Sequence, residues 1–178
     1  MWPSASPEIL ERAARVRLLI CDVDGVLTDG RLYFTPDGQE LKSFHARDGH
    51  GIKLLQRTGV ATAVISGRNS PAVALRMSSL GVEHVYQGHE DKRVPFASLL
   101  DALNLAPEQV AYVGDDLLDL PLMRRVGLAI AVADAHFTLS DAAHWRTAQA
   151  GGCGAVREVC DLIMLAQQTL NDVIASYH

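Results

Sequence analysis

Short apolar runs alternate with amphipathic stretches along the whole chain. Val82 to Tyr86 reads as a more polar strand, and residues 18–23 (LLICDV), 60–65 (VATAVI), 109–113 and 128–132 are mainly apolar runs of five or six residues. Each is too short for a buried helix and closes on glycine, serine or acidic residues, as strands buried on both faces do. Between them, residues 49–57, 69–80, 91–103 and 116–125 have helical spacing. Gly59 and Gly81 stand as stops, and Asn69-Ser70-Pro71 as a start. Ser6 and Pro7 supply an N-cap and a first helical residue for a short helix over 8–16. Residues 31–34 and 40–44 flank Thr35-Pro36-Asp37-Gly38, a turn signal that predicts a β-hairpin over 31–44. Apolar spacing at Val156, Val159, Leu162, Ile163 and Leu165 predicts one long C-terminal helix, 155–177. Residues 1–7 read as a loose arm.

This alternation predicts an α/β fold, a Rossmann-like three-layer α/β/α sandwich around a central parallel sheet, with the hairpin as a small flap. The 178 residues suffice for one domain, 1–178, with its own core. In such folds the site lies beyond the carboxyl ends of the strands, and chemistry-bearing residues stand there repeatedly. Asp22 and Asp24 follow the first run at i, i+2. Two carboxylates so close repel unless a cation lies beside them, which suits one that binds a hard divalent ion and attacks and another that handles protons. Ser66-Gly67-Arg68 follows the second run, and its hydroxyl and backbone N–H groups can hold phosphate oxygens. Lys92 stands where a helix begins, a place the helix dipole disfavours for a cation unless an anion is near. Gly114-Asp115-Asp116-Leu117-Leu118-Asp119 follows another run with three carboxylates. A helix cap explains one of these, Asp115 or Asp116. Mg2+ takes one or two carboxylates together with water and phosphate oxygens.

Composition narrows the field. A formal charge of −5 is not that of a nucleic-acid-binding protein. The three cysteines, Cys21, Cys153 and Cys160, have no paired spacing and read as reduced thiols of a cytoplasmic protein. No apolar run approaches membrane-span length, so no membrane partner is expected.

The motifs DVDGVLTDG, ISGR, the Lys92 segment and GDDLLD resemble those of the haloacid dehalogenase superfamily of phosphatases. The resemblance implies Asp22 as nucleophile, Asp24 as general acid/base, Ser66 and Lys92 as phosphate-binding groups, and Asp115 as a metal-binding acid supported by Asp116 and Asp119. Val26 departs from the threonine of many members. LTDGRLYFTPDGQELKSFHARDGHGIKLL, VYQGHEDK, QVAYVGDDLLDLPLM, AIAVADAH and GAVREVCDLIMLAQ are similar, over about residues 18–170, to the family of 3-deoxy-D-manno-octulosonate 8-phosphate (KDO 8-P) phosphatases. That likeness implies a Mg2+-dependent phosphatase yielding KDO for lipopolysaccharide biosynthesis. It would work through an aspartyl phosphate on Asp22, with the metal held by Asp22, the Asp24 carbonyl and Asp115.

It further implies a homotetramer without a large cap domain, the site being completed by a neighbouring subunit. Gly151-Gly152-Cys153-Gly154 would then be a flexible approach segment toward the neighbour. Gly67 joins the phosphate site, and Arg68 and Arg76 match positions that contact the substrate, a guanidinium suiting its carboxylate. His45, Arg47 and Asp48 are candidates for the entrance, with a helix cap the other reading of Asp48. Two other readings stand beside this one: a phosphatase of a nine-carbon ulosonate phosphate, and a non-catalytic tetramerisation or regulatory module.

Overall fold

The computed structural model describes residues 5–177. Helix α1 (Pro7–Ala14) opens as expected, with the Ser6 hydroxyl accepting from the Ile9 N–H. The expected loose arm thus ends at the helix cap, and residues 1–4 lie outside the described residues. Strand β1 (Leu18–Cys21) is buried throughout. The hairpin is smaller than its sequence span: β2 (Tyr33–Phe34) pairs antiparallel with β3 (Glu40–Leu41). Helix α2 (Ala46–Arg57), strand β4 (Ala61–Ile65), helix α3 (Pro71–Leu80) and strand β5 (His84–Tyr86) follow. Gly81 closes α3 in the left-handed region, at φ 71°, where a residue without a Cβ is least strained.

Helix α4 (Arg93–Leu103) leads to strand β6 (Val110–Gly114). The helix expected over 116–125 is instead a 3-10 turn, Leu117–Asp119, and a four-residue helix α5 (Leu120–Met123). Pro121 has no N–H to give to a continuous helix, and Asp116 caps the turn by accepting from the Leu117 N–H at 2.7 Å. Strand β7 (Leu128–Ala131) is followed by an edge strand that the apolar pattern did not announce, β8 (Trp145–Arg146).

The predicted C-terminal helix is two helices, α6 (Ala155–Ala166) and α7 (Leu170–Ala175). The break falls at Gln168, which takes φ 61°, while the Thr169 N–H turns back to the Met164 carbonyl. The Gln167 backbone N–H keeps its helical bond to the Ile163 carbonyl, while its side-chain amide donates to the Val16 carbonyl at 2.7 Å.

The six main strands pair in parallel in the order β5-β4-β1-β6-β7-β8. Helices α1, α2 and α6 pack on one another as one layer, and α4 packs on α5. Right-handed crossovers put these sets on opposite faces. The order reverses between β1 and β6. The chain steps from β1 to β4 in one direction and from β6 to β7 in the other, leaving a crevice beyond the carboxyl ends of β1 and β6.

Candidate active site

Asp22 is the first residue after β1, and its N–H still bonds the Val113 carbonyl at 3.0 Å. The chain then turns sharply: the N–H groups of Val26, Leu27 and Thr28 all point to the Val23 carbonyl at 2.9–3.3 Å. Gly25 permits this turn at φ 95°, and it also gives room to the Asp115 carboxylate, which would collide with any Cβ there. Asp115 follows β6, so the switch point brings Asp22 and Asp115 together from strands adjacent in the sheet.

Asp22, Asp24, Ser66, Gly67, Arg68, Lys92, Asp115, Asp116 and Asp119 line one cavity of about 310 Å3. Leu118 and Glu90 complete its wall. Ser66 is buried after β4; its backbone joins the β5 end through Tyr86, and its hydroxyl accepts from the Arg68 N–H at 3.3 Å. Asp116 is exposed and serves as the turn cap. Arg76 is the exception. It sits on α3 with its guanidinium against Gly49 of α2 and does not line the cavity.

Lys92 stands at the N-cap position of α4, and its ammonium is buried. It donates to Asp22 Oδ1 at 2.5 Å and to Asp119 Oδ1 at 2.7 Å. Burial lowers its pKa, but these two carboxylates outweigh burial and leave it raised. Asp119 is the hub beneath the site: besides Lys92 it accepts from the Tyr112 hydroxyl at 2.6 Å and from the N–H groups of Asp115 and Asp116 at 2.8 and 3.2 Å. Tyr112 went unread because a tyrosine within the apolar run 109–113 looks like core. A strand buried on both faces has no solvent side, so alternation along it offered no signal.

Oxygens of Asp22, Asp115 and Asp119 lie within 4.8 Å of one another. Burial, and then repulsion from Asp119, raises the Asp22 pKa to about 7 against the pull of Lys92. Burial, with repulsion from Asp22, Asp119 and Asp116, raises that of Asp115 to about 8. Two acids that resist ionisation beside each other, offering hard oxygens, fit a divalent cation. Both Asp119 oxygens already accept hydrogen bonds, so Asp115 and the Asp22 oxygen that Lys92 does not occupy are what remain to hold one. The Asp24 carboxylate turns the other way, to Lys42 of the hairpin.

The glycine segment expected to approach a neighbour is docked on its own chain. The Gly151 N–H donates to Asp134 at 2.9 Å and the Gly152 N–H to the Val26 carbonyl at 2.9 Å. A Cβ on Gly151 would strike the Gly25 carbonyl. Asp48, considered for the entrance, is buried. It accepts from the N–H groups of Gly154 at 3.3 Å and Arg157 at 2.7 Å, capping α6 from α2. No helix among the described residues is long and apolar enough to cross a membrane.

The model of the haloacid dehalogenase-like hydrolase family matches residues 78–158. The KDO 8-P phosphatase of Yersinia pestis is 53% identical over 163 residues, 92% of this chain and 87% of that protein. Its crystal structure superposes with a TM-score of 0.93, at 51% identity, over 94% of this chain and 90% of that one. The KDO 8-P phosphatase of Moraxella catarrhalis, solved with a magnesium ion, a phosphate ion and KDO, gives a TM-score of 0.95 at 37% identity, over 98% and 100%. With this level of identity over nearly the whole chain, and the same fold, the protein belongs to the haloacid dehalogenase-like hydrolases and, within them, to the phosphatase family of these relatives.

Proposed function

We propose that this enzyme hydrolyses 3-deoxy-D-manno-octulosonate 8-phosphate to KDO and phosphate, with Mg2+, through an aspartyl phosphate on Asp22, as a step toward lipopolysaccharide. The observation that carries the reading is the meeting of Asp22, Asp24, Ser66, Lys92 and Asp115 around one cavity, in a chain 53% identical to a phosphatase of that substrate.

Asp22 and Asp115 would hold the cation, with the Asp24 backbone carbonyl. When bound, it supplies positive charge that offsets the repulsion between Asp22 and a phosphate dianion. An Asp22 oxygen attacks phosphorus; the bond from phosphorus to the sugar oxygen breaks, and the Asp24 carboxyl gives that oxygen its proton. Asp24 then takes a proton from the water that attacks phosphorus, and the bond to Asp22 breaks, restoring Asp22 as the carboxylate and Asp24 as the acid. Lys92, Ser66 and the Gly67 N–H would hold the equatorial oxygens, where charge gathers in the transition state. Asp119 and Tyr112 keep the Lys92 ammonium in place through the bonds at 2.7 and 3.2 Å. Arg68, at the cavity mouth, suits the substrate carboxylate. Arg76, whose Nε has no hydrogen-bond partner among the described residues, could serve that carboxylate only across a subunit boundary.

Tyr33, Phe34 and Leu41 of the hairpin are exposed. Their apolar surface suits a tetramer in which a neighbour covers the site and excludes water.

A panel of eight- and nine-carbon ulosonate phosphates with Mg2+ tests the substrate; higher kcat/KM on a nine-carbon ester would overturn it. Asp22→Asn should abolish turnover with the fold retained by circular dichroism. Turnover within about tenfold of wild type would contradict the covalent route.

A further inference from the structure

Among the charged side chains of the hairpin that the reaction scheme leaves unused, Glu40 and Lys42 turn inward. The hairpin's apolar residues face solvent, yet the Lys42 side chain is only 1% exposed and that of Glu40 13%. The Lys42 ammonium contacts Asp24 Oδ1 and lies 3.4 Å from Glu40 Oε1. Arg68 Nη2 donates to the same Glu40 oxygen at 2.8 Å, and Arg68 Nε lies 3.7 Å from Asp24 Oδ2. Asp24, Lys42, Glu40 and Arg68 therefore close a ring of alternating charge. It joins three segments: the loop after β1, the hairpin and the loop after β4.

A buried ammonium is costly unless oppositely charged groups surround it. Here two carboxylates do, and the ring is neutral as a whole. The consequence falls on Asp24. Its Oδ2 accepts no hydrogen bond among the described residues, and Arg68 stands beyond hydrogen-bond reach of it. The Lys42 contact on Oδ1 is what fixes the direction of this carboxyl group. A general acid must sit within hydrogen-bond reach of the atom it protonates, and small misplacements are expensive in rate.

We infer that Lys42 is a positioning residue: it holds the Asp24 side chain toward the departing oxygen and clasps the hairpin over the catalytic loop, with Glu40 keeping the ammonium in place from the other side. The inference rests on Asp24 as proton donor to the leaving group. It assigns Lys42 no contact with the phosphoryl group, whose cation is Lys92.

The test compares two leaving groups. An alkoxide, as from a sugar phosphate, needs a proton as it departs; p-nitrophenolate does not. For Lys42→Met with Mg2+, kcat/KM on the eight-carbon ulosonate phosphate should fall by at least about tenfold, a fraction of what general acid catalysis contributes. On p-nitrophenyl phosphate it should fall by less than about threefold. Lys42→Arg, which keeps the cation, should restore most of the loss. Equal losses on the two esters, or none, would overturn the positioning role. So would an arginine variant as impaired as the methionine one. Should Lys42→Met not fold, Lys42→Gln, smaller in perturbation, must show a split in the same sense; no split overturns the role. Wild type inert toward the eight-carbon ester but active on another alkyl phosphate would sink the substrate reading alone, and the split would then be read on that ester. Wild type inert toward every ester would sink both.

Discussion

Asp119→Asn is the substitution whose outcome the geometry constrains most tightly. The four groups that face the Asp119 carboxylate are all donors: the Lys92 ammonium, the Tyr112 hydroxyl, and the N–H groups of Asp115 and Asp116. An asparagine of the same shape brings one oxygen and one NH2. The NH2 must face either the two backbone N–H groups, opposing both, or the Lys92–Tyr112 pair, where it opposes the ammonium and strips it of one of its two carboxylates while the hydroxyl can turn to accept. Each lost bond to a charged group costs about 1.5–3 kcal/mol, for a total of about 3–5 kcal/mol, the range for breaking a buried ion pair.

Relief of repulsion opposes this loss. With Asp22 and Asp115 ionised within 4.8 Å of Asp119, each pair repels by about 3–4 kcal/mol at an effective dielectric near 20. Which effect wins depends on pH. In the metal-free protein Asp22 and Asp115 ionise only near 7 and 8, for the burial and crowding described above. At pH 6 both are mostly neutral, repulsion is small, and the lost bonds dominate. Urea unfolding at pH 6 should therefore show the variant about 3 kcal/mol less stable at an unchanged m-value. At pH 9 both acids are ionised, the two repulsions relieved sum to about 6–8 kcal/mol and outweigh the lost bonds, so the penalty should vanish or reverse. A variant within about 1 kcal/mol of wild type at pH 6, or a penalty that grows with pH, would refute the reasoning.

Metal dependence follows from the same crowding. Asp22 and Asp115 have folded pKa values of about 7 and 8 against an ordinary 3.8, so the folded state holds more protons than the unfolded chain between these limits. Their contribution is fully present below pH 4 and is lost as pH rises toward 8; the metal-free Tm should be lower at pH 8 than at pH 5. Mg2+ favours the ionised pair, so calorimetry should show it raising Tm more at pH 8 than at pH 5. Equal shifts at the two values would remove Asp22 and Asp115 as its ligands. Gly151→Ala drives a methyl group into the Gly25 carbonyl. It should cost about 1–3 kcal/mol of stability, and a loop displaced under Asp22 should lower kcat/KM by about tenfold or more. Thermal melts and steady-state kinetics read both, and an unperturbed enzyme would show that the glycine segment does not set the loop.

Much of the molecule was legible in one dimension. Four apolar runs closing on glycine, serine or acids marked strands that the sheet does contain, because a strand buried on both faces can hold little but apolar side chains, while β5 is a half-buried edge strand. Asp22, Asp24, Ser66 and Asp115 stood out because polar groups directly after such runs must lie at one end of a parallel sheet, and Lys92 because a cation at a helix start calls for an anion nearby. Where local pattern misled, a contact from afar was responsible. The C-terminal helix breaks at Gln168, beside the point where the Gln167 side chain is tied to the Val16 carbonyl. Asp48 leaves the entrance to cap α6, and Arg76 lies against Gly49 rather than in the cavity.

The local sequence thus determined which residue types end each strand, and so the kind of chemistry. Only the tertiary structure decided how those ends divide the work. Pairing β1 with β6 places Asp115 against Gly25. It also puts Tyr112 and Asp119 under Lys92, and the folded hairpin brings Lys42 to Asp24. These are encounters between residues far apart along the chain. Whether a carboxylate holds a cation, a proton or a lysine depends on which charges and donors surround it in space, and periodicity along a strand or helix does not carry that information.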